Sequence, residues 1–443
     1  MTEQDTRPKL AVIGTGYLGV THAVCMVELG FDVIGLDVDP AKLALLRAGR
    51  LPFFEPGLAE LLGKHIDGGR LRFTDSYEQV AAFADVHFVC VGTPQRAGEL
   101  AADLSYVEAA FSSLAPHLDR KVLVVGKSTV PAGTAARMQR LLLALAPCQD
   151  VELAWNPEFL REGYAVKDTL APDRLVLGVQ SAWAEAQLRA AYAPVIAAGS
   201  PVVITDFATA ELVKAAANSF LATKISFINA MAEVCEATGA DVTKLAEALG
   251  HDARIGRRFL NAGLGFGGGC LPKDIRAFIA HAGELGVDQA VSFLREVDAI
   301  NLRRRARVLE LGLELVDGSY QGRHIAILGA AFKPNSDDIR DSPALDVAAA
   351  IARRGATVLV YDPQALDNAR RMHPELTYAE STSQAVTGAD VIMLLTEWAE
   401  FKQLSPHALA QHVRHRNLVD GRNALDPVQW RTAGWTYRAL GRQ

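Results

Sequence analysis

One cysteine closes a run of glycines, Gly265-Phe266-Gly267-Gly268-Gly269-Cys270-Leu271-Pro272-Lys273-Asp274. Residues without side chains let the backbone approach a ligand and adopt positive φ, so a thiol placed there can be presented directly to a substrate. Lys273 or another nearby cation favours the thiolate, the nucleophilic form. The same residues would also suit a tight turn around a buried structural cysteine. The choice depends on what else the chain carries.

A second group of residues points to a dinucleotide. A short apolar run at 9–13 ends in Gly14-Thr15-Gly16-Tyr17-Leu18-Gly19; a helical stretch at 20–29 and a strand ending in Asp37 follow. This is G-x-G-x-x-G in strand–turn–helix–strand order, with an acid about 20 residues on. The glycines allow the turn and the close approach of a pyrophosphate, which a helix N-terminus attracts. Asp37 can accept hydrogen bonds from a ribose diol and would repel a 2′-phosphate, so NAD is expected rather than NADP.

These groups need elements to hold them. Apolar runs at 84–91, 121–125 and 151–155 lead into Thr93, into Thr129, and into Glu158 and Glu162. In parallel sheets ligands gather at such strand ends. If Glu158 opens a helix, Glu162 shares its face; a solvated pair of acids is the plainer alternative. Helical periodicity runs from 209 to about 250, with few turn residues before Thr238-Gly239. It carries Lys214 and Asn218, four apart and on one face. On an Ala-rich helix such a pair needs partners if buried, although a solvated lysine would need none. A helix is expected again over 275–307. From about 317 a further set of strand ends, at 324–329, 357–363, 391–396 and 417–423, lacks the glycine fingerprint. The fold class expected is α/β, with two doubly wound Rossmann-like domains joined by a central helical segment. The divisions are 1–200, 201–316 and 317–443.

Composition excludes several classes. The 443 residues are half apolar and 22% charged, with a net charge of −6, which disfavours a binder of nucleic-acid backbones. The five cysteines (25, 90, 148, 235 and 270) form no CxxC pair, so neither a disulfide framework nor a metal site is expected. The first ten residues are polar and unlike a signal peptide, and no apolar run reaches membrane-spanning length. A cytoplasmic protein is expected.

The ordered stretches GTGYLG (14–19), PFFEPGL (52–58), VGTP (91–94), KSTVPAGT (127–134), NPEFLREG (156–163), AELVKAAANSF (210–220), GFGGGCLPKD (265–274), FKPNSDDIRDSP (332–343) and VDGRN (419–423) span nearly the whole chain. Together they resemble the UDP-glucose/GDP-mannose dehydrogenase family, which oxidises a nucleotide sugar to its uronic acid. The resemblance implies Cys270 as nucleophile, Lys214 and Asn218 as stabilisers of an oxyanion, and Glu158 and Thr129 in proton transfer through a water. It places Asp274 near the same water. It also implies NAD contacts at Gly14, Gly16, Tyr17, Leu18, Gly19, Asp37, Lys42, Thr93, Thr129, Glu162, Lys273 and Arg340. Contacts to the nucleotide sugar would come from Glu158, Phe159, Leu160, Lys214, Asn218, Phe259, Gly265, Phe266, Gly267, Phe332, Lys333 and Arg422. Arg254 would reach the sugar of a neighbouring subunit, which implies a homodimer or a higher homo-oligomer.

Pro172-Asp173-Arg174 before the strand at 175–178 is similar to the UDP-glucose branch, so UDP-glucose is the expected substrate. GDP-mannose or a UDP-N-acetylhexosamine is the alternative within the same chemistry. A two-electron β-hydroxyacid dehydrogenase and a non-catalytic nucleotide-sugar sensor are the readings from other classes. Gly269 departs from the family, which often has Ser there, and Ala230 and Met231 depart after ISFIN.

Overall fold

The computed structural model describes residues 7–442. The first six residues, where the argument against a signal peptide begins, lie outside them. Two compact units, 1–217 and 218–443, divide the chain within the helix Phe207–Thr238.

The first unit is built on eight strands: β1 Leu10–Ile13, β2 Val33–Leu36, β3 Leu71–Thr74, β4 Val86–Val89, β5 Leu123–Gly126, β6 Glu152–Trp155, β7 Leu175–Gly178 and β8 Val202–Thr205. Their spatial order is β3-β2-β1-β4-β5-β6-β7-β8, parallel throughout except where Trp155 of β6 meets Gly178 of β7. Both faces are covered, so the central strands read as unbroken apolar runs. Leu10 and Val12 of β1 join the core on one face, and Ala11 and Ile13 join the core on the other.

The second unit carries six parallel strands: β9 His324–Leu328, β10 Thr357–Tyr361, β11 Thr377–Tyr378, β12 Val391–Leu394, β13 Asn417–Asp420 and β14 Thr436–Ala439, in the order β11-β10-β9-β12-β13-β14. Six strands of the first sheet and all six of the second follow one doubly wound plan. The fold class is α/β, two Rossmann-like sheets with a helical segment between them in sequence.

Three local expectations need correction. The helix expected over 275–307 is two helices, Leu271–Glu284 and Phe293–Glu314. Gly286 ends the first in the left-handed region (φ 72°), and the Val287 amide bonds back to the Ala282 carbonyl, the 6→1 closure of a helix end. The stretch 209–250 likewise divides into Phe207–Thr238 and Val242–Gly250, the latter capped by Asp241, whose carboxylate accepts from the Thr243 amide. Glu158 opens no helix. Residues 156–161 form a loop in which its Oε2 accepts from the Leu160 amide at 2.7 Å, and the next helix begins only at Ala165.

Candidate functional site

In the first unit the strand order reverses between β1 and β4, the place where doubly wound sheets bind ligands. Gly14 follows β1 with φ 89°, and the helix Tyr17–Glu28 starts at Gly16 with no side chain capping its free amides. A Cβ at Gly14 would meet Val91 at 2.7 Å, and one at Gly19 would meet the Gly14 carbonyl oxygen at 1.9 Å. A Cβ at Gly16 would meet nothing within 4 Å. Two of the glycines are thus required by packing. The third leaves room in front of an open helix N-terminus, which suits a pyrophosphate.

Asp37 lies just past β2 and is 6% exposed. Its Oδ2 accepts from the amide and hydroxyl of Thr15 and from Lys42 Nζ, each at 2.8 Å, and Oδ1 accepts from the Asp39 amide. Burial pushes its carboxyl up, but Lys42, Asp39 and Thr15 together hold it below the usual carboxylate range. A fixed acid beside an uncapped helix fits the ribose and pyrophosphate of NAD.

The following strand ends carry the other expected groups. Thr93 Oγ1 donates to the Thr129 carbonyl at 2.9 Å, tying the β4 end to the β5 end. Beyond β6, Glu158 Oε1 pairs with Lys214 Nζ at 2.9 Å, both largely buried. Phe159 lies beneath two cations, Arg174 at 3.9 Å from its ring centre and Lys214 at 5.6 Å. Leu160 supplies the amide that Glu158 accepts. Glu162 is buried in the turn that follows.

In the second unit Cys270 is exposed and stands at the N-cap of the helix Leu271–Glu284. One turn on, buried Asp274 returns its amide to the Cys270 carbonyl. Its Oδ2 accepts from Asn218 Nδ2 at 2.6 Å and its Oδ1 from Lys273 Nζ at 2.5 Å. Asn218, Asp274 and Lys273 therefore form one cluster at the start of the cysteine's helix.

The glycine run is packed by the chain itself. A Cβ at Gly265 would meet Asn301 Oδ1 at 2.6 Å, at Gly267 the Asp341 carbonyl oxygen at 2.2 Å, and at Gly268 the Phe332 ring at 2.7 Å. Asn301 clasps Phe266 from both sides, accepting from its amide and donating to its carbonyl. At these three positions the absence of a side chain is required by a close approach to neighbouring protein. Arg422 is spent in the same way: Nε donates to Leu395 O, Nη1 to Gly265 O and Nη2 to Phe332 O, at 2.8 to 3.0 Å. Lys333 sits 5.2 Å from the Phe332 ring centre, and Arg340 pairs with Asp338. Phe259 holds φ at 66°, a strained conformation for an aromatic residue. Arg254 extends into solvent and pairs with nearby Asp252.

Sequence spacing did not disclose several supports. Glu55, from the PFFEPGL stretch, accepts from the Gly163 and Ala165 amides at 2.6 and 2.7 Å and from the Tyr17 hydroxyl. Burial and that carboxylate push the Tyr17 phenol far up, so it remains a donor. Glu211 accepts from the Gly133 and Ala135 amides at the start of the helix Thr134–Leu145. The available signal was a buried-type acid inside an otherwise apolar motif.

Comparison with known proteins agrees with this geometry. Residues 8–196 match the UDP-glucose/GDP-mannose dehydrogenase family, NAD binding domain; residues 208–303 match its central domain and 326–427 its UDP binding domain. The chain is 41% identical to the UDP-glucose 6-dehydrogenase of Rhizobium meliloti (strain 1021), over 98% of this chain and 99% of that one. Among solved structures, a UDP-glucose dehydrogenase from the hyperthermophilic archaeon Pyrobaculum islandicum superposes with a TM-score of 0.91 at 38% identity, covering all of both chains. A UDP-D-ManNAc dehydrogenase from Pyrococcus horikoshii gives 0.86 at 30%, covering 98% of this chain and 99% of that one. With an uncapped dinucleotide fingerprint in one unit, a cysteine at a helix N-cap in the other, and all three family domains matched in order, the chain belongs to the UDP-glucose/GDP-mannose dehydrogenase family.

Proposed function

We propose that the protein is an NAD-dependent UDP-glucose 6-dehydrogenase, which oxidises the sugar's C6 alcohol to a carboxylate in two steps. The observation that carries this reading is Cys270 at its helix N-cap with the Asn218–Asp274–Lys273 cluster one turn along. NAD, when bound, accepts the hydride in each oxidation. An aldehyde is a poor hydride donor, whereas a tetrahedral adduct on it is a good one. Cys270 Sγ adds to the aldehyde carbon to give a thiohemiacetal. Its oxidation gives a thioester, and water hydrolyses that to the acid and the free thiol.

Lys214 and Asn218, four residues apart on one helix, are the donors for the oxygen that gains charge at each tetrahedral stage. The Lys214–Glu158 ion pair holds that ammonium in place and gives it a proton partner. Glu158 and Thr129 orient the attacking water, with Asp274 supporting the donor set. Asp37 and Gly14 to Gly19 hold the cofactor with Lys42, Thr93, Glu162, Lys273 and Arg340. Phe159, Leu160, Phe259, the 265–267 backbone, Phe332, Lys333 and Arg422 shape the nucleotide-sugar site. Arg422 acts there through the carbonyls it gathers.

The working form is a homodimer or a higher homo-oligomer. On the helix Phe207–Thr238, Phe220, Phe227 and Val234 recur every seven residues and are 66%, 47% and 52% exposed, a single apolar stripe of the kind a second helix covers. The exposed Arg254 then serves the neighbouring subunit. Three domains (1–200, 201–316 and 317–443) and a cytoplasmic location complete the proposal. Five free cysteines suit a reducing compartment. Among the described residues no helix is long and apolar enough to cross a membrane.

The test is NADH formed per sugar consumed, with UDP-glucose, GDP-mannose and UDP-N-acetylmannosamine side by side. Two NADH per UDP-glucose are expected, and Cys270→Ser should bind both ligands without net turnover. Two NADH on another sugar would move the specificity, and one or none would remove the covalent mechanism. Mixed Arg254→Ala and Cys270→Ser subunits should regain activity; no recovery under demonstrated subunit exchange would overturn the cross-subunit role.

A further inference from the structure

Lys127 and Asn156 open the KSTVPAGT and NPEFLREG stretches, and the reaction described above gives neither a task. Lys127 is 5% exposed and Asn156 1%. Lys127 Nζ donates to Asn156 Oδ1 at 2.9 Å, to the Tyr192 hydroxyl at 3.1 Å and to the Asn156 carbonyl at 3.5 Å. Tyr192 in turn donates to Asn156 Oδ1 at 2.6 Å, and Asn156 Nδ2 donates to the Val176 carbonyl of β7 at 2.9 Å. The Phe88 and Tyr192 rings each lie 5.7 Å from the ammonium. All of these acceptors are neutral. Burial and the ammonium together keep nearby His22 uncharged, so it adds no second positive charge beside Lys127.

A buried cation held only by neutral groups is costly, and an apolar side chain of the same length would fill the space without that cost. Its position suggests why it is there. The Lys127 amide bonds to the Val89 carbonyl and the Asn156 amide to the Gly126 carbonyl, so the two residues sit at adjoining ends of β5 and β6. Each stands two residues before a group assigned to the reacting water, Thr129 and Glu158. Buried Cys90 feels the charges of both Lys127 and Glu158.

We propose that Lys127 is a positioning residue of the reaction: through Asn156 its ammonium locks the ends of β5 and β6 into one piece and so fixes Thr129 relative to Glu158. This rests on the reading that those two residues handle the water. A misplacement on the ångström scale in such a constellation costs orders of magnitude in rate.

The test is Lys127→Met, which keeps the length and removes the charge. The melting temperature should be unchanged or higher, because a buried charge has been removed. kcat should fall about tenfold or more, with both KM values within about threefold of wild type. A kcat within about twofold of wild type, or a kcat loss that tracks a lowered melting temperature, overturns the proposal. If Lys127→Met does not fold, Lys127→Gln is judged by the same criteria, and failure of both to fold makes Lys127 a fold determinant and ends the proposal. Thr129→Ala and Glu158→Gln run in parallel. Wild-type rates in those two would defeat the underlying reading; slow variants there beside a fast Lys127→Met would defeat this inference alone.

Discussion

Asp37 and Asp362 occupy equivalent places in two sheets of the same strand plan, just past β2 and just past β10. Asp37 accepts from Thr15 and the Asp39 amide, and its remaining partner is the partly exposed side chain of Lys42. Asp362 is 1% exposed and accepts from the amides of Ala330, Ala331, Gln364 and Ala365 and from the Trp398 indole. The helices that follow β1 and β9, Tyr17–Glu28 and Pro343–Ala352, differ in their caps. Gly16 leaves the first one open, whereas Ser342 caps the second, accepting from the Leu345 amide while donating to the Ala330 carbonyl. One fold therefore makes an open cradle suited to a dinucleotide where the helix end lacks a side-chain cap, and a rigid shoulder where a serine caps it.

The contrast can be broken most directly at Asp362. Asp362→Ala strands five donors, four of them buried and each worth about 1 kcal/mol or more, and should cost at least about 3 kcal/mol in urea unfolding. A loss below about 1 kcal/mol would make the acid as dispensable as an exposed one.

Acid should separate the units next. The buried histidines His22 and His87 both belong to the first. Burial lowers His87 from an ordinary 6.5 to about 4, chiefly because its charged form has no solvation there. The neutral form is the native one, so this stability is present above the unfolded value and is lost as pH falls through about 4. Hydrogen exchange at pH 7 and pH 4.5 should show β1 to β6 losing protection before β9 to β14. The reverse order would contradict the assignment.

Gly16→Ser gives the first helix the kind of cap the second already has. Stability should change by only a few tenths of a kcal/mol, while the KM for NAD rises about tenfold and that for the nucleotide sugar holds. An unchanged KM for NAD would show that the open helix end is not used. The smallest effect is expected at Ser342→Ala, about 1 kcal/mol of stability from the lost cap, with the KM for NAD unmoved.

The central strands were legible in the sequence because burial on both faces makes them continuous apolar runs. The four strands that the sequence reading passed over, β3, β8, β11 and β14, are the four sheet edges. β3 is broken by exposed Arg72, β11 is only two residues long, and β14 exposes alternate residues. β8, between Pro201 and the next helix, has no fully buried residue, unlike the central strands. At the site, groups whose spacing is local were visible: the fingerprint, Lys214 with Asn218, and Cys270 with Lys273 and Asp274. Glu55, Glu211, Arg174 and Lys127 work through partners far along the chain, such as Gly163, Ala135, Phe159 and Tyr192. Spacing along one sequence holds no trace of those distances.

The glycine run before Cys270 carries a lesson for reading related genomes. Asn301, Asp341 and Phe332 fill the places where side chains at Gly265, Gly267 and Gly268 would go. A descendant that lost its thiol and its turnover, yet still folded, would remain bound to glycine at those three positions. Its motif would look intact except at one letter. A search keyed on the glycines would count such copies as intact, and the letter that tells them apart is the proposed nucleophile, Cys270.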